Sequence, residues 1–89
     1  MRVLFQSYLS QVTNATSIEI KFKGSLQELL SVLISKYGSE LETLVLSDSQ
    51  LSNIAVILVN DCYINKEDGL DIQLEDTDTI TILPIVAGG

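Results

Sequence analysis

The apolar and polar positions in the first quarter of the chain alternate as they do in β-strands. Residues 2–9 place Val3 and Phe5 on one face of a predicted strand. Residues 10–16 are rich in turn-forming side chains, which predicts a loop. Residues 17–23 alternate strictly, which is typical of a strand with one face toward solvent. We expect the two strands to pair as a hairpin.

A helix follows these strands. Ser25 and Glu28 have the spacing of a capping box, in which the two side chains satisfy each other's free backbone N–H groups. Apolar side chains then recur at helical spacing, at Leu26, Leu29, Leu30, Leu33 and Tyr37. Gly38 supplies the stop signal. In residues 39–53 the pattern allows one helical turn and then a loop.

The next segment is apolar on both of its faces. Residues 54–59 therefore predict a strand that is covered on both sides or bordered by a partner. Asn60 and Asp61 favour a tight turn, and residues 62–64 a short strand after it. Residues 65–69 are predicted to form a polar loop.

A final strand is predicted at residues 79–83, after an acidic turn at residues 75–78. Its inward residues are Ile80 and Ile82, and its outward residues are Thr79 and Thr81. Pro84 lacks a backbone N–H, so we expect the hydrogen bonding of the strand to end there.

The order of these elements is two strands, one long helix and three more strands. It predicts the ubiquitin-like β-grasp, an α+β fold in which one main helix packs on one face of a mixed sheet of four to five strands. We assign residues 1–84 to this domain and residues 85–89 to a flexible C-terminal tail.

The residue composition of the chain excludes several classes of function. The 89 residues carry a net charge of −7, no histidine and one cysteine, Cys62. Few basic groups make the chain a poor ligand for nucleic acid. The missing histidine and second cysteine exclude zinc-finger, iron–sulfur and histidine-dependent hydrolase sites, so no metal is expected. A lone cysteine and no apolar run of membrane-spanning length indicate a cytoplasmic protein without a membrane partner.

The acidic residues concentrate in the last third of the chain. Residues 61–89 carry seven acidic side chains against one lysine, a net charge of −6, whereas residues 1–60 sum to −1. Two interpretations stay open. The charge either keeps the protein in solution or steers it toward a partner with a basic docking surface.

The chain ends in two glycines, which directs attention to its terminal carboxylate. Five residues beyond Pro84, at about 3.3 Å each, reach roughly 16 Å. Glycine has no Cβ, so Gly88 and Gly89 can pass through a narrow channel. A partner enzyme could then convert the Gly89 carboxylate, a poor electrophile, to an acyl-adenylate with ATP. The adenylate is reactive to an amine or to sulfur, and attack by sulfur would give a thiocarboxylate.

The whole chain resembles the small-subunit family of molybdopterin synthase, sulfur carriers related to the thiamine-pathway carrier and to ubiquitin. The resemblance is carried by the strand at 3–5, the turn at 59–61, the acidic turn and strand at 76–80 and the ending at 83–89. That ending, Leu-Pro-Ile-Val-Ala-Gly-Gly, is similar to a family ending of Pro-Pro-Val-Ser/Thr-Gly-Gly. It departs at Ile85, where a second proline is usual, and at Ala87, where a small hydroxyl residue is usual.

The resemblance implies a carrier cycle in which this chain is not itself an enzyme and binds no cofactor. An E1-like adenylyltransferase would use ATP to adenylate Gly89. A sulfur donor, such as a desulfurase or rhodanese-type protein, would then form the thiocarboxylate. The large subunit of molybdopterin synthase would receive the tail in a 2+2 heterotetramer and transfer the sulfur to precursor Z. The residues of the tail that its channel would hold are Pro84, Ile85, Val86, Ala87 and Gly88.

The resemblance also implies an interface with the partner. It places contact residues at Leu83 and Tyr63, and a third family aromatic falls on Gln6. Tyr8 lies on the same predicted face as Gln6 and is a candidate substitute. The alternation of the last strand independently puts Leu83 on the outward face beside the tail. The plainer alternatives are ordinary packing for Leu83 and a hairpin residue partly covering the core for Tyr63.

Cys62, Asp76 and Asp78 have structural interpretations that need no reactive thiol and no metal site. No basic residue neighbours Cys62 in sequence to stabilise a thiolate, so we expect a small filler residue. Asp76 and Asp78 lack the spacing of an EF-hand loop, and we expect turn residues.

Other functions share parts of this pattern. A ubiquitin-like modifier joined to target lysines would use the same activation of Gly89. Thiamine-pathway carriers are generally shorter and lack the proline-containing ending. A β-grasp binding module with an incidental Gly-Gly ending would use neither step.

Overall fold

The protein, described here as a computed structural model, arranges its strands on both sides of the longest helix along the chain. The structure describes residues 1–7, 9–48, 50–52, 54–64 and 68–85. In chain order the elements are β1 (Arg2–Phe5), α1 (Leu9–Thr13), β2 (Ser17–Glu19), β3 (Gly24–Ser25), α2 (Leu26–Tyr37), α3 (Ser39–Val45), β4 (Leu46–Ser47), β5 (Gln50–Leu51), β6 (Ala55–Val59), β7 (Cys62–Tyr63), a 3-10 turn (Gly69–Asp71), β8 (Gln73–Leu74) and β9 (Thr79–Pro84).

Five of the strands form one mixed sheet, in the order β2-β1-β9-β6-β7. β1 and β9 run parallel at its centre, and the other neighbours are antiparallel. The short pairs β3–β8 and β4–β5 lie outside this sheet. The mixed five-stranded sheet with its helices confirms the α+β β-grasp fold.

The core lies between this sheet and α2. Val3 of β1 pairs with Ile80 of β9, so the two central strands present adjacent apolar side chains to the helix. The core side chains with no exposed surface are Val3, Leu9, Leu26, Leu29, Leu30, Leu33, Leu41, Ile80 and Ile82. Burying each of them contributes about 1.5–3 kcal/mol relative to exposure, which is the main force that holds the helix on the sheet.

The predicted start and end of α2 are confirmed. Ser25 Oγ accepts the Glu28 N–H at 3.1 Å, and Glu28 Oε1 accepts the Ser25 N–H at 2.9 Å, which completes the capping box. The bond from the Ser25 N–H also lowers the pKa of the Glu28 carboxyl. Gly38 ends the helix at φ 93°, a conformation that other residues rarely adopt.

The predicted strand at 2–9 and loop at 10–16 are wrong in part. β1 ends at Phe5, Ser7 turns the chain with φ 56°, and α1 begins at Leu9. Leu9 and Thr13 lie four residues apart, so one helical face buries both. The Thr13 hydroxyl donates within this segment, to the Leu9 carbonyl at 3.1 Å, which offsets its weak helix propensity.

The second predicted strand is shorter than its sequence pattern. Val3 pairs with Ile18 as the hairpin requires, but β2 ends at Glu19. The Ile20 N–H still donates to the Met1 carbonyl at 2.9 Å. Phe22 then donates its N–H to Asp76 Oδ1, because the chain leaves the sheet edge to pair β3 with β8.

The ambiguous segment 39–53 contains a helix and a hairpin. α3 spans its first seven residues and buries Leu41 and Val45, and β4 and β5 pair after it. Of the later elements, β6, β7 and β9 follow the prediction, and Asn60 and Asp61 join β6 to β7 with φ angles of 52° and 67°. The 3-10 turn at Gly69–Asp71 and strand β8 were not predicted. No helix in the described ranges is long and apolar enough to cross a membrane.

Candidate functional site

The tail leaves the fold from the end of β9, a strand with a neighbour on each side. Pro84 is the last residue of β9 and pairs with Ala55. The Ile85 N–H donates to the Ile54 carbonyl at 2.9 Å, so the expectation that hydrogen bonding ends at Pro84 is wrong by one residue. Successive residues of a strand direct their N–H groups to opposite sides, so the missing N–H of Pro84 faces β1 and not β6.

Ile85 is the first residue of the tail. Ile85 is half exposed and is the last described residue. The predicted tail residues Val86, Ala87, Gly88 and Gly89 lie outside the described residues. Gly89 is the fourth residue after Ile85, an extended reach of about 13 Å.

The sheet carries a continuous apolar surface on the face opposite α2, and it leads to the tail. Strand alternation directs Leu58, Val56 and Ile54 of the β6 edge to this face, beside Thr81, Leu83 and Ile85 of the β9 edge. We name the apolar members of this set, together with Leu4 of β1, the outer strip. The members of the outer strip are Leu4, Ile54, Val56, Leu58, Leu83 and Ile85.

Exposure along the outer strip increases toward the tail. Thr81 is only 5% exposed, because Leu4 and Leu58 pair with it from both neighbouring strands. Leu83 is half-buried, whereas Ile54 and Ile85 are 47% and 51% exposed. The outward direction predicted for Thr81 is thus correct, but a central strand has neighbours that cover its outer face as well.

The predicted contact residues take different places around this strip. Tyr63 pairs with Leu58 across the edge of the sheet and is 80% exposed, so it does not cover the core as one alternative proposed. Gln6 is exposed at the other border, where its N–H donates to the Ile82 carbonyl at 3.0 Å. Tyr8 lies outside the described residues.

An apolar cavity of about 210 Å³ lies at the β6 border of the strip. Its lining residues are Leu51, Ser52, Ala55, Val56, Ile57, Tyr63, Ile64 and Ile85. β7 is shorter than β6, so the first residues of β6 have no described strand beside them on this side. The cavity thus connects Tyr63 with the root of the tail.

The opposite end of β9 is acidic and closely hydrogen-bonded. Asp76 Oδ1 accepts the Phe22 N–H at 2.9 Å, and Asp78 Oδ2 accepts the Glu75 N–H at 2.8 Å. These backbone donors lower the pKa of both aspartates. Asn60 joins the turn by accepting the Thr79 N–H at 2.9 Å. Both aspartates are turn residues as predicted, and the described residues contain no cluster of potential metal ligands.

Cys62 differs from its prediction. It pairs with Val59 on the edge strand β7 and is exposed, so it does not fill a gap in the core. The reason is that β7 is the last strand of the sheet, so no other strand of the sheet lies on its outer side to cover Cys62.

The sequence reasoning missed most of the outer strip. Leu58, Val56 and Ile54 were grouped only as a segment apolar on both faces. The apolar residues on both faces of this segment were the available signal. A strand with one face toward solvent needs apolar residues only on its other face, so the second apolar face indicated a covered or partner-binding surface. The β6–β9 register determines which residues of this segment lie beside Leu83.

Comparison with known proteins decides the family. The model of the ThiS family matches residues 3–89. The chain belongs to the ThiS family. Its members are ubiquitin-like sulfur carriers, small proteins that are not catalysts themselves. A relative from Archaeoglobus fulgidus, named "Putative sulfur carrier protein", is 31% identical over 67 residues, which cover 75% of this chain and 76% of the relative.

Two similar proteins of solved structure have the same fold. CysO of Amycolatopsis orientalis, crystallised in a BexX/CysO complex, has a TM-score of 0.84 at 28% identity, over 99% of this chain and 98% of that one. Small archaeal modifier protein 1 of Methanosarcina acetivorans has a TM-score of 0.78 at 25% identity, over 99% of this chain and 94% of that one.

Proposed function

We propose that this ThiS-family chain carries sulfur as a thiocarboxylate on Gly89 and donates it as the small subunit of molybdopterin synthase. The observation that carries the proposal is the position of the tail. It leaves from the end of β9 beside an apolar strip whose exposure increases toward Ile85. A partner that covers the strip would receive the tail in the same contact.

The chemistry needs no general acid or base from this chain. The Gly89 carboxylate attacks the α-phosphate of ATP in the activating enzyme, which forms the acyl-adenylate and releases pyrophosphate. The terminal sulfur of a donor persulfide then attacks the acyl carbon and displaces AMP. A thiol then reduces the resulting acyl disulfide by attacking the donor sulfur, which leaves a thiocarboxylate on Gly89 and a disulfide between the thiol and the donor.

The outer strip supplies the docking surface in this proposal. Exposed apolar residues that adjoin one another mark contact sites more often than scattered ones do. Tyr63 and Leu83 have the size and position of anchors, with Gln6 at the border. The acidic turn at the other end of β9 would meet basic residues of the partner and accelerate association.

The choice of acceptor rests on the resemblance of the ending. Leu83, Pro84 and the two glycines have the places that the molybdopterin synthase small subunits give them. In the proposed complex two copies of this chain pair with two large subunits, in the cytoplasm. There the thiocarboxylate sulfur would displace an oxygen substituent from a carbon of precursor Z. Hydrolysis of the acyl carbon–sulfur bond would then leave the sulfur on that carbon and regenerate the Gly89 carboxylate.

Intact mass tests the carrier function. The chain is purified from cells with an active sulfur pathway, beside a variant that lacks Gly89. We expect a mass increase matching replacement of one oxygen by sulfur in the native chain and none in the variant. Absence of the increase, together with normal molybdenum-cofactor synthesis in the deletion strain, would refute the proposal.

The likeness to the Methanosarcina acetivorans modifier supports a second candidate, conjugation of Gly89 to lysines of other proteins. The two functions share the adenylate and differ in the group that attacks it. Isopeptide-linked adducts in the same mass experiment would indicate conjugation. A chain that carries sulfur and forms adducts would serve both roles.

A further inference from the structure

We infer that the buried Ser52 hydroxyl is a positioning residue for the tail, acting through a hydrogen-bonded chain from α3 to Ile85. The role in sulfur transfer rests on the proposed function. The hydrogen-bonded chain itself rests only on the described contacts of Leu44, Ser52, Ile54 and Ile85.

Ser52 first closes the end of α3. The last carbonyls of a helix have no partner within it and need donors from elsewhere. Ser52 supplies two, since its hydroxyl donates to the Leu44 carbonyl at 2.5 Å and its N–H donates to the Val45 carbonyl at 3.0 Å. Ser52 is only 7% exposed, so water does not readily replace these donors.

The same hydroxyl then fixes the start of β6. Ser52 Oγ accepts the Ile54 N–H at 3.3 Å. The Ile54 carbonyl accepts the Ile85 N–H at 2.9 Å. Both backbone polar groups of Ile54 are therefore held, although its side chain is 47% exposed and gains little from the core. Hydrogen bonds, more than burial, determine where this residue lies.

Ile85 is the last described point of the tail, so the direction in which the tail leaves depends on Ile54. A proline at position 85, usual in the resembled ending, would have no N–H to donate to the Ile54 carbonyl. In this chain the residue at that place keeps its donor. Ile85 is the point from which the tail reaches toward the partner, and misplacement by about 1 Å of a reacting group can cost about 100-fold in rate.

Amide hydrogen exchange tests the positioning role in the full 89-residue chain. The measured quantity is the exchange rate of the Ile85 amide divided by that of the Ile82 amide in the core. We expect Ser52→Ala to raise this ratio at least about tenfold, because Ile85 opens locally while Ile82 follows the whole fold. Ser52→Thr keeps the hydroxyl, and we expect a ratio within about threefold of the native value.

Thr13→Val is the matched control. Thr13 is also buried, and its hydroxyl donates to two carbonyls of its own segment with no link to Ile54. We expect its ratio to stay within about twofold of the native chain. An unchanged ratio in Ser52→Ala, or an equal rise in Thr13→Val, would overturn the positioning role. If Ser52→Ala does not fold, Ser52→Cys replaces it, since a thiol has similar shape and weaker hydrogen bonds.

A kinetic measurement links the positioning to function. With the activating enzyme and ATP, we expect Ser52→Ala to lower kcat for Gly89 adenylation about threefold to tenfold at unchanged KM, because Val56, Leu58 and Leu83 of the outer strip are held by the β6–β9 pairing and not by Ser52. A rise in KM alone would overturn the positioning role. If the native chain is never adenylated, the proposed function fails while the exchange ratios still decide whether Ser52 holds the tail root.

Discussion

The two ends of β9 differ in polarity, exposure and hydrogen bonding, although the strand is only six residues long. At the entry end, Asp76, Asp78 and Asn60 side chains accept backbone N–H groups, and the residues are polar. At the exit end the residues are apolar, their exposure increases to 51% at Ile85, and the Ile85 N–H donates to the Ile54 carbonyl. The entry end therefore anchors the strand, and the exit end is suited to a partner.

Deleting Gly88 and Gly89 has the largest expected effect and separates the two ends most sharply. We expect loss of all thiocarboxylate or adenylate formation, because the tail would be two residues shorter and its terminal carboxylate would no longer reach the site where Gly89 reacts. The melting temperature should stay within about 1 °C, since no core side chain is removed. Intact mass and thermal melting measure the two effects. A clearly lower melting temperature would show that the tail contributes to the fold.

Truncating apolar side chains on either side of Pro84 locates the point where the fold ends. Ile82→Ala should reduce the free energy of unfolding by about 2–5 kcal/mol, because its side chain has no exposed surface. Ile85→Ala should change it by less than about 0.5 kcal/mol, because its side chain is half exposed. Urea unfolding measures both. Similar losses of unfolding free energy in the two variants would show that the core includes Ile85.

Charge introduced on the outer face tests docking at the exit end. We expect Leu83→Asp to weaken binding to the large subunit of molybdopterin synthase by about tenfold or more, because a carboxylate would be buried in an apolar contact. Thr79→Asp on the same face of the same strand is the control, with an expected change within about threefold.

Isothermal titration measures these affinities. Because Leu83 is half-buried, Tyr63→Ala accompanies it as a variant with little effect on folding. An unaltered affinity in both variants would remove the outer strip from the interface.

Acid titration gives the smallest expected effect and tests the entry end. The pKa of Asp76 is lowered in the folded state from 3.8, chiefly because its carboxylate accepts the Phe22 N–H. The unfolded chain therefore binds the proton more readily near that pH, and the stabilisation is present above it and lost as the pH falls below it. Asp76→Asn should be slightly less stable than the native chain at pH 7, and the difference should shrink in acid. Urea midpoints measured from about pH 7 to 2 provide the test.

The strongest local signals were predicted correctly from the sequence. The capping box at Ser25 and Glu28 and the spacing of the leucines placed α2, because both depend on contacts within about one helical turn. The Asn60–Asp61 turn followed from residues that tolerate positive φ angles. The Gly-Gly ending and its departures from the resembled family are visible without any structure.

The errors fall where distant segments meet. α1 replaced a predicted loop because Leu9 is buried by residues remote in sequence. β2 stopped early because Asp76 takes the Phe22 N–H, a contact over 54 positions. Cys62 is exposed because β7 is the last strand of the sheet.

The sequence by itself determined the main helix, the turn chemistry, the uneven charge and the Gly-Gly ending. These follow from spacing and residue type, which act locally. Only the tertiary structure decided that Leu58, Val56 and Ile54 stand beside Leu83 and Ile85, and that Ser52 reaches the root of the tail. Those relations depend on the register of β6 against β9 and on buried hydrogen bonds between segments, because packing and not local pattern selects which strands become neighbours.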